Sequence, residues 1–365
     1  MRLYLTWAVI IGRGRRPPRH GALRLAALLT LVLPLAAQAA DDFFLFPAIS
    51  VMHRSGVSPG QDLRRNDLNS GLDIFYTSDH DRLRLLGETF VSGQEQEIER
   101  LQIGWLLEPE TTLWIGRYHN PLGYWNTQFH HGTYLQTSIT RPGVMAFEDG
   151  GGPLVTHLVG PLLENARLNA RNLFYTFGFG AAPALEERLE PVGLFKSRTD
   201  SHKPGETLKI FYRPDDETGN EAGMFISHVQ IASTNPAVTE VRQNVGGFFS
   251  NWMWHAWRAN NAIYFVENHL AMPSGELHST FNNAYFQLEY AWHGSWAAYA
   301  RAENTFGQNN DAYLTLFPDF VRKRALSGIR YDFVRHQALK LELSSNTLQQ
   351  GKYNEIAIEW SAALP

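Results

Sequence analysis

ALKLELSSN, residues Ala338 to Asn346, decides the fold. Leu339, Leu341 and Leu343 fall at every second position, and Lys340, Glu342 and Ser344 fill the places between. Successive side chains of a strand point to opposite faces, so this run has one apolar face and one charged face. NEIAIEWSA repeats the scheme, with Ile356, Ile358 and Trp360 against Glu355, Ala357, Glu359 and Ser361. RALSGIRYDFV sets Ile329, Tyr331 and Phe333 against Arg330 and Asp332. AYFQLEYAW and SWAAYARAEN pair across a His-Gly-Ser turn, with Tyr285, Gln287, Glu289, Tyr299, Arg301 and Glu303 on the polar side. Earlier, RLQIGWLLE and TLKIFYR place Arg100, Gln102 and Lys209 opposite leucine, isoleucine and tryptophan.

Alternation alone fits a soluble sandwich or a membrane barrel, because either can bury one face. Composition and the N-terminus favour the membrane. Aromatic residues make up 13% of the chain and include ten Trp, which suits rings seated at a lipid–water interface. Arg13, Arg15, Arg16, Arg19 and Arg24 accompany the 13-residue apolar run LAALLTLVLPLAA, and Ala37-Gln38-Ala39 offers small residues for cleavage. Residues 1–39 therefore read as a secretory signal peptide, since the run is short of the ~20 residues of a spanning helix. Residues 40–365 read as one domain. Cysteine is absent, which removes disulfides and thiol chemistry. A net charge of −4, with no long basic run in the mature part, gives nucleic acid no electrostatic footprint.

The segments of about ten residues and their mixture of short and long connections predict an all-β fold: a transmembrane antiparallel β-barrel of about 16 strands, within roughly 12 to 18. Short connections fall at Ser78–Asp81, Glu108–Thr111, His293–Ser295 and Arg335–Gln337. Long ones fall at Asn120–Gly152, Ala182–Gly205 and Gly307–Pro318. The charges of the polar face, Arg100, Arg301, Arg330, Lys340, Glu342 and Glu359, would then line a wet lumen.

TLWIGRYHNPLGYW (Thr112 to Trp125) and SGIRYDFVRHQALKLELSS (Ser327 to Ser345) resemble the porin-like outer-membrane barrels of Gram-negative bacteria, in particular the phosphate-selective and other substrate-selective porins. The resemblance implies a channel for passive diffusion of small hydrophilic solutes, set among outer-membrane lipid and lipopolysaccharide, and a homotrimer. It also implies that one long connection folds into the lumen, and Asn120–Gly152 is the best candidate. Such barrels often end in an aromatic residue, whereas this chain ends Ala363-Leu364-Pro365.

A connection of that length without evident secondary structure asks for a functional reason. With the strand end before it, it supplies Arg117, Tyr118, His119, Tyr124, Trp125, His130, His131 and Arg141 as candidate constriction residues. Arg117 and Arg141 would attract anions, and Tyr124 and Trp125 would wall or stack against the solute. An anion preference competes with Glu289, Glu303, Asp332, Glu342 and Glu359 on the same strand faces. His119, His130, His131 and His157 could ligate a metal, but helical ligand spacing is absent, and no metal or other cofactor is expected. The chain lacks G-x-S-x-G, so Ser138, Thr137 and Glu148 beside the histidines do not argue for an enzyme. The acidic tracts EQEIE (Glu95 to Glu99) and RPDDETGNE (Arg213 to Glu221) read as solvated loop ends, with divalent ions that bridge lipopolysaccharide as the alternative for the first. The competing class is a barrel that does not conduct and serves as a structural, partner-binding or metal-binding protein.

Overall fold

The computed structural model describes residues 40–57, 63–93, 96–129, 132–147, 151–169, 172–194, 202–215, 218–307 and 311–365. The export segment read from residues 1–39 lies outside them. The chain forms β1 (Ala40–Ser55), β2 (Asn66–His80), β3 (Leu83–Ser92), β4 (Gln96–Leu106), β5 (Thr112–His119), β6 (His157–Asn169) and β7 (Leu173–Ala181). A short ribbon follows, β8 (Ala184–Leu185) and β9 (Leu189–Glu190). Then come β10 (Pro204–Tyr212), β11 (Glu221–Ala232), β12 (Glu240–Trp254), β13 (Trp257–Met272), β14 (Gly275–Trp292), β15 (Trp296–Gly307), β16 (Lys323–Val334), β17 (Gln337–Thr347) and β18 (Lys352–Ala362).

All but β8 and β9 join one closed barrel of sixteen strands, in which each strand neighbours its sequence neighbours and β1 pairs antiparallel with β18. This is the antiparallel barrel the alternation predicts. On β17 the leucines Leu339, Leu341 and Leu343 are 43%, 43% and 49% exposed, while Lys340 and Glu342 are each 1% exposed. The wall is therefore turned inside out, with apolar side chains outward and charges inward. Ile49, Val51, Ile103, Ile115, Ile226 and Ile358 continue the bare apolar surface around the circumference. In water such a surface would drive association; with lipid as the outer solvent it is the face that belongs there, and closure leaves no unpaired edge.

The two ends differ. At one end the strands turn tightly, and Asp81, His255, His293 and His336 take positive φ of 52° to 64° at these turns, which Asp and His tolerate better than branched residues. Around this end Trp257, Tyr290, Trp292, Trp296 and Tyr331 form a run of ring contacts with centroids 4.2–6.2 Å apart, an aromatic girdle at an interface. The opposite end carries the long connections.

Because Leu341 lies mid-strand on the outer face, Leu341→Arg should destabilise the barrel by about 2–4 kcal/mol. Urea unfolding of protein refolded into lipid vesicles measures this, and an unchanged midpoint would mean that this face does not meet lipid.

Candidate functional site

The connection from β5 to β6, residues 120–156, turns into the barrel. Its two stems are tied together: the Asn120 backbone N–H donates to Thr156 O at 2.7 Å, and the Asn120 side chain donates to Val155 O at 2.8 Å. Asn126 Nδ2 donates to Asn120 O and to Thr156 O, both at 2.9 Å. Just before the stems, Gly116 adopts φ +142°, where a Cβ would meet Leu101 O at 2.0 Å, so only glycine fits the strand there.

The first arm docks through apolar contact. Trp125 opens a single helical turn, Trp125–Gln128, and is 0% exposed within a cluster that includes Leu122, Phe129, Phe225, Phe249, Tyr264 and Tyr285. Its ring lies edge-on to Tyr285 with centroids 6.0 Å apart, and the Arg301 guanidinium sits 5.3 Å above it. Tyr264 Oη donates to Leu122 O, and Arg258 covers Phe129 at 4.7 Å.

The second arm docks through polar contact, against charges from β14 to β18. Thr137 Oγ1 donates to Glu289 at 2.6 Å. Glu342 accepts from Ile139 N, Thr140 N, Thr140 Oγ1 and Tyr299 Oη at 2.7–3.3 Å. Glu303 accepts from Gly143 N at 2.7 Å and pairs with Arg301 and Arg324. Arg301 donates to Ser138 Oγ and Thr140 O, and Arg324 to Arg141 O. Arg330 donates to Tyr134 O and Gln136 O while holding Asp332. Lys340 reaches Thr133 O and pairs with Glu359 at 3.1 Å. A buried charge is tolerated only when paired and hydrogen-bonded, and these meet that condition through the loop backbone. The returning arm meets the connection from β15 to β16, where Tyr313 Oη donates to Pro153 O at 2.7 Å.

The other half of the wall is acidic with matched arginines. Arg100 pairs with Glu88 at 2.8 Å, and Arg117 pairs with Glu97. His119 and His157 face each other at the stems, with Glu99 3.2 Å from His157 Nε2. The Arg141 guanidinium lies 3.6 Å over the Phe147 ring. Between Thr133 of the loop and the walls of β1, β2, β3 and β18 remains a cavity of about 350 Å³, whose lining includes Phe46, Ser50, Gly71, Asp73, Phe90, Ser92 and Glu359.

No family model matches the chain, and no curated protein matches it. Solved structures do. The outer-membrane channel DcaP of Acinetobacter baumannii superposes with TM-score 0.59 at 12% identity over 90% of this chain and 98% of its own. OmpT of Vibrio cholerae, solved in a trimer form, gives 0.58 at 9% over 88% and 99%. Salmonella typhi OmpF, solved in complex with daunomycin, gives 0.57 at 11% over 89% and 97%. The fold is that of the outer-membrane porins.

Within that porin fold several expected roles change. Tyr118, Tyr124 and Trp125 are 1%, 6% and 0% exposed, so they do not wall a passage; Tyr124 and Trp125 anchor the loop in a cluster with aromatics from β11 to β14, and Tyr118 packs from β5. Tyr118 also lies over Gly178, where a Cβ would come 2.6 Å from its Oη. Arg301, Lys340, Glu342 and Glu359 do face inward, but at 1–2% exposure they are capped by the loop and not bathed in a wet lumen. Glu97 and Glu99 stand in β4, with Glu99 buried, and so are not solvated loop ends; Glu95 lies outside the described residues. His130, His131 and Glu148 lie outside the described residues. Asp73 and Glu88 went unnoticed in the sequence, where single carboxylates in alternating strands carry no mark of their own.

Glu342→Ala removes the acceptor for three loop donors and for Tyr299, each worth roughly 1–3 kcal/mol when left buried and unpaired. We expect the loop to become cleavable by protease while the barrel keeps its heat-modifiable migration on a gel; a loop as protected as in the parent would mean that Glu342 does not hold it.

Proposed function

We propose that the chain is an outer-membrane channel for passive diffusion of small hydrophilic solutes, with residues 120–152 as its constriction loop. The observation that carries this reading is the space beside the docked loop: the loop is fastened chiefly to β11 through β18, Gly132 abuts Phe46 of β1, and a cavity lies beside β1, β2 and β3. Solute would pass Asp73 and Thr133. Rings of charge set selectivity in such pores. The anion preference suggested by Arg117 and Arg141 finds less support in the geometry, because Arg117 is paired with Glu97. Asp73 on the gap supports a weak preference for cations.

The reading includes export by residues 1–39, a mature chain starting at Ala40, and a homotrimer bordered by lipopolysaccharide at the long-loop end. Mass spectrometry of the outer-membrane fraction tests the start, and a mature mass that retains residues before Ala40 would remove the cleavage.

A second reading, a barrel that does not conduct, is favoured by the burial of the loop, with Trp125 and Ser138 both 0% exposed inside the lumen. Planar-bilayer recordings of the refolded protein under a KCl gradient decide between the two. The channel reading expects small, stable conductance steps and a reversal potential on the cation side that moves toward anions in Asp73→Asn. Silence from a folded barrel would establish the second reading, and an unmoved reversal potential in Asp73→Asn would take Asp73 off the path.

A further inference from the structure

His119 is the last residue of β5 and His157 the first of β6, and the two are partners in the strand register. They therefore stand at the two stems of the lumen loop, 5% and 3% exposed, with ring centroids 5.0 Å apart. Glu99 of β4 brings a carboxylate 3.2 Å from His157 Nε2, and Glu88 of β3 lies 3.9 Å from His119 Nε2. One donor atom from each of Glu99, His119 and His157 falls within 4.8 Å of the others.

We propose that Glu99, His119 and His157 bind one divalent transition-metal ion of the zinc class, which ties both stems of the lumen loop to β4. Two imidazoles with a carboxylate suit Zn²⁺, Co²⁺, Ni²⁺ or Cu²⁺, whereas Ca²⁺ and Mg²⁺ want an all-oxygen shell. A tetrahedral ion at 2.0–2.2 Å from each donor sets them about 3.4 Å apart; Glu99 and His157 already stand at 3.2 Å, and the widest pair, within 4.8 Å, must close by up to about 1.4 Å. Side-chain rotation supplies that, because hydrogen-bonded strands hold the backbones of β4, β5 and β6 in place. Thr156 Oγ1 lies 3.3 Å from His157 Nδ1, which leaves Nε2 to face the ion, and such outer partners orient ligating histidines. Phe147 stacks on His157 with centroids 6.2 Å apart and screens the site from water. Arg100 is held by Glu88 and Arg117 by Glu97, so the nearest cations are neutralised.

The test uses the folded barrel in detergent, stripped with EDTA and titrated with Co²⁺ and then Zn²⁺. We expect one ion per chain, with the visible absorption of tetrahedral Co²⁺ and protection of the loop from protease when the ion is bound. Glu99→Gln should weaken binding by about 10–100-fold, and His119→Ala/His157→Ala should abolish it, with heat-modifiable migration as the check on folding. Should the double variant not fold, Glu99→Gln alone decides. An EDTA-stripped, folded protein that takes up no ion overturns the proposal. So does undiminished binding in Glu99→Gln or the double variant, which would place the ion at other residues, such as the exposed Glu267, His269 and His278. Metal binding and conductance are read separately, so a silent barrel that binds the ion keeps this site and loses only the channel.

Discussion

Everything in this molecule rests on the pairing of β1 with β18. Ala48 to Ser55 run against Ser361 to Asn354, and that one ladder turns an open sheet into a cylinder without edges. In hydrocarbon an unpaired backbone N–H or C=O costs several kcal/mol, so an open sheet of this length could not remain in the membrane. Once the ladder is closed, the outer face is free to be wholly apolar and the inner face to hold charge. The leucines and isoleucines of β17 and β18 become an asset in lipid, although in water they would be a hazard.

Closure also creates the second problem, a cylinder whose inner wall carries aromatic residues on one side and ionised residues on the other. The loop answers both at once. Its first arm gives Trp125, Tyr124 and Phe129 to the aromatic half, and its second arm gives backbone amides and carbonyls to Arg301, Glu303, Arg330, Lys340 and Glu342. Buried ion pairs of this sort add little net stability against an apolar alternative, because desolvation offsets the attraction. What they supply is position. An apolar plug could slide along the wall, whereas Glu342 accepting from Ile139 and Thr140, and Glu303 from Gly143, fix the register of loop on strand. The gap beside Asp73 is therefore a defined space and not an average over loop conformations.

The barrel was legible because a period of two survives any detail of packing: Leu339, Leu341 and Leu343 announce a strand face whichever solvent meets it. The entering loop was placed by the resemblance to porin-like barrels, and its length and its aromatic and amide content agreed with that choice. The docking was not legible. Arg301 and Lys340 look alike whether water or a loop carbonyl satisfies them, since both environments demand a polar inward residue. Trp125 looked like a solute contact because nothing local reveals that Phe225, Phe249 and Tyr264 wait across the lumen. Glu97 and Glu99 were misplaced by a boundary: the strand begins at Gln96, a few residues before the composition suggests, and a register shift at Glu88/Thr89 changes the phase of pairing.

The distribution of partners along the chain then orders assembly. The loop lies in the first half of the sequence, yet the groups that fasten its polar arm are on β14 to β18, some 152 to 207 residues away. Contacts of such separation cannot form until the intervening strands have paired, because the loop-closure cost is met by nothing before then. Until β15, β16 and β17 arrive, the only carboxylate of this wall that Thr133 to Gly143 can meet among the described residues is Glu289 of β14, through Thr137. The stems behave differently. Asn120, Asn126, Thr156 and the facing pair His119 and His157 depend only on β5 and β6, neighbours in the ladder, so the base of the loop can be set early and its arm last. The polar arm is therefore the last part of the loop to find its partners, and the same late strands that close the wall also fix the loop against it.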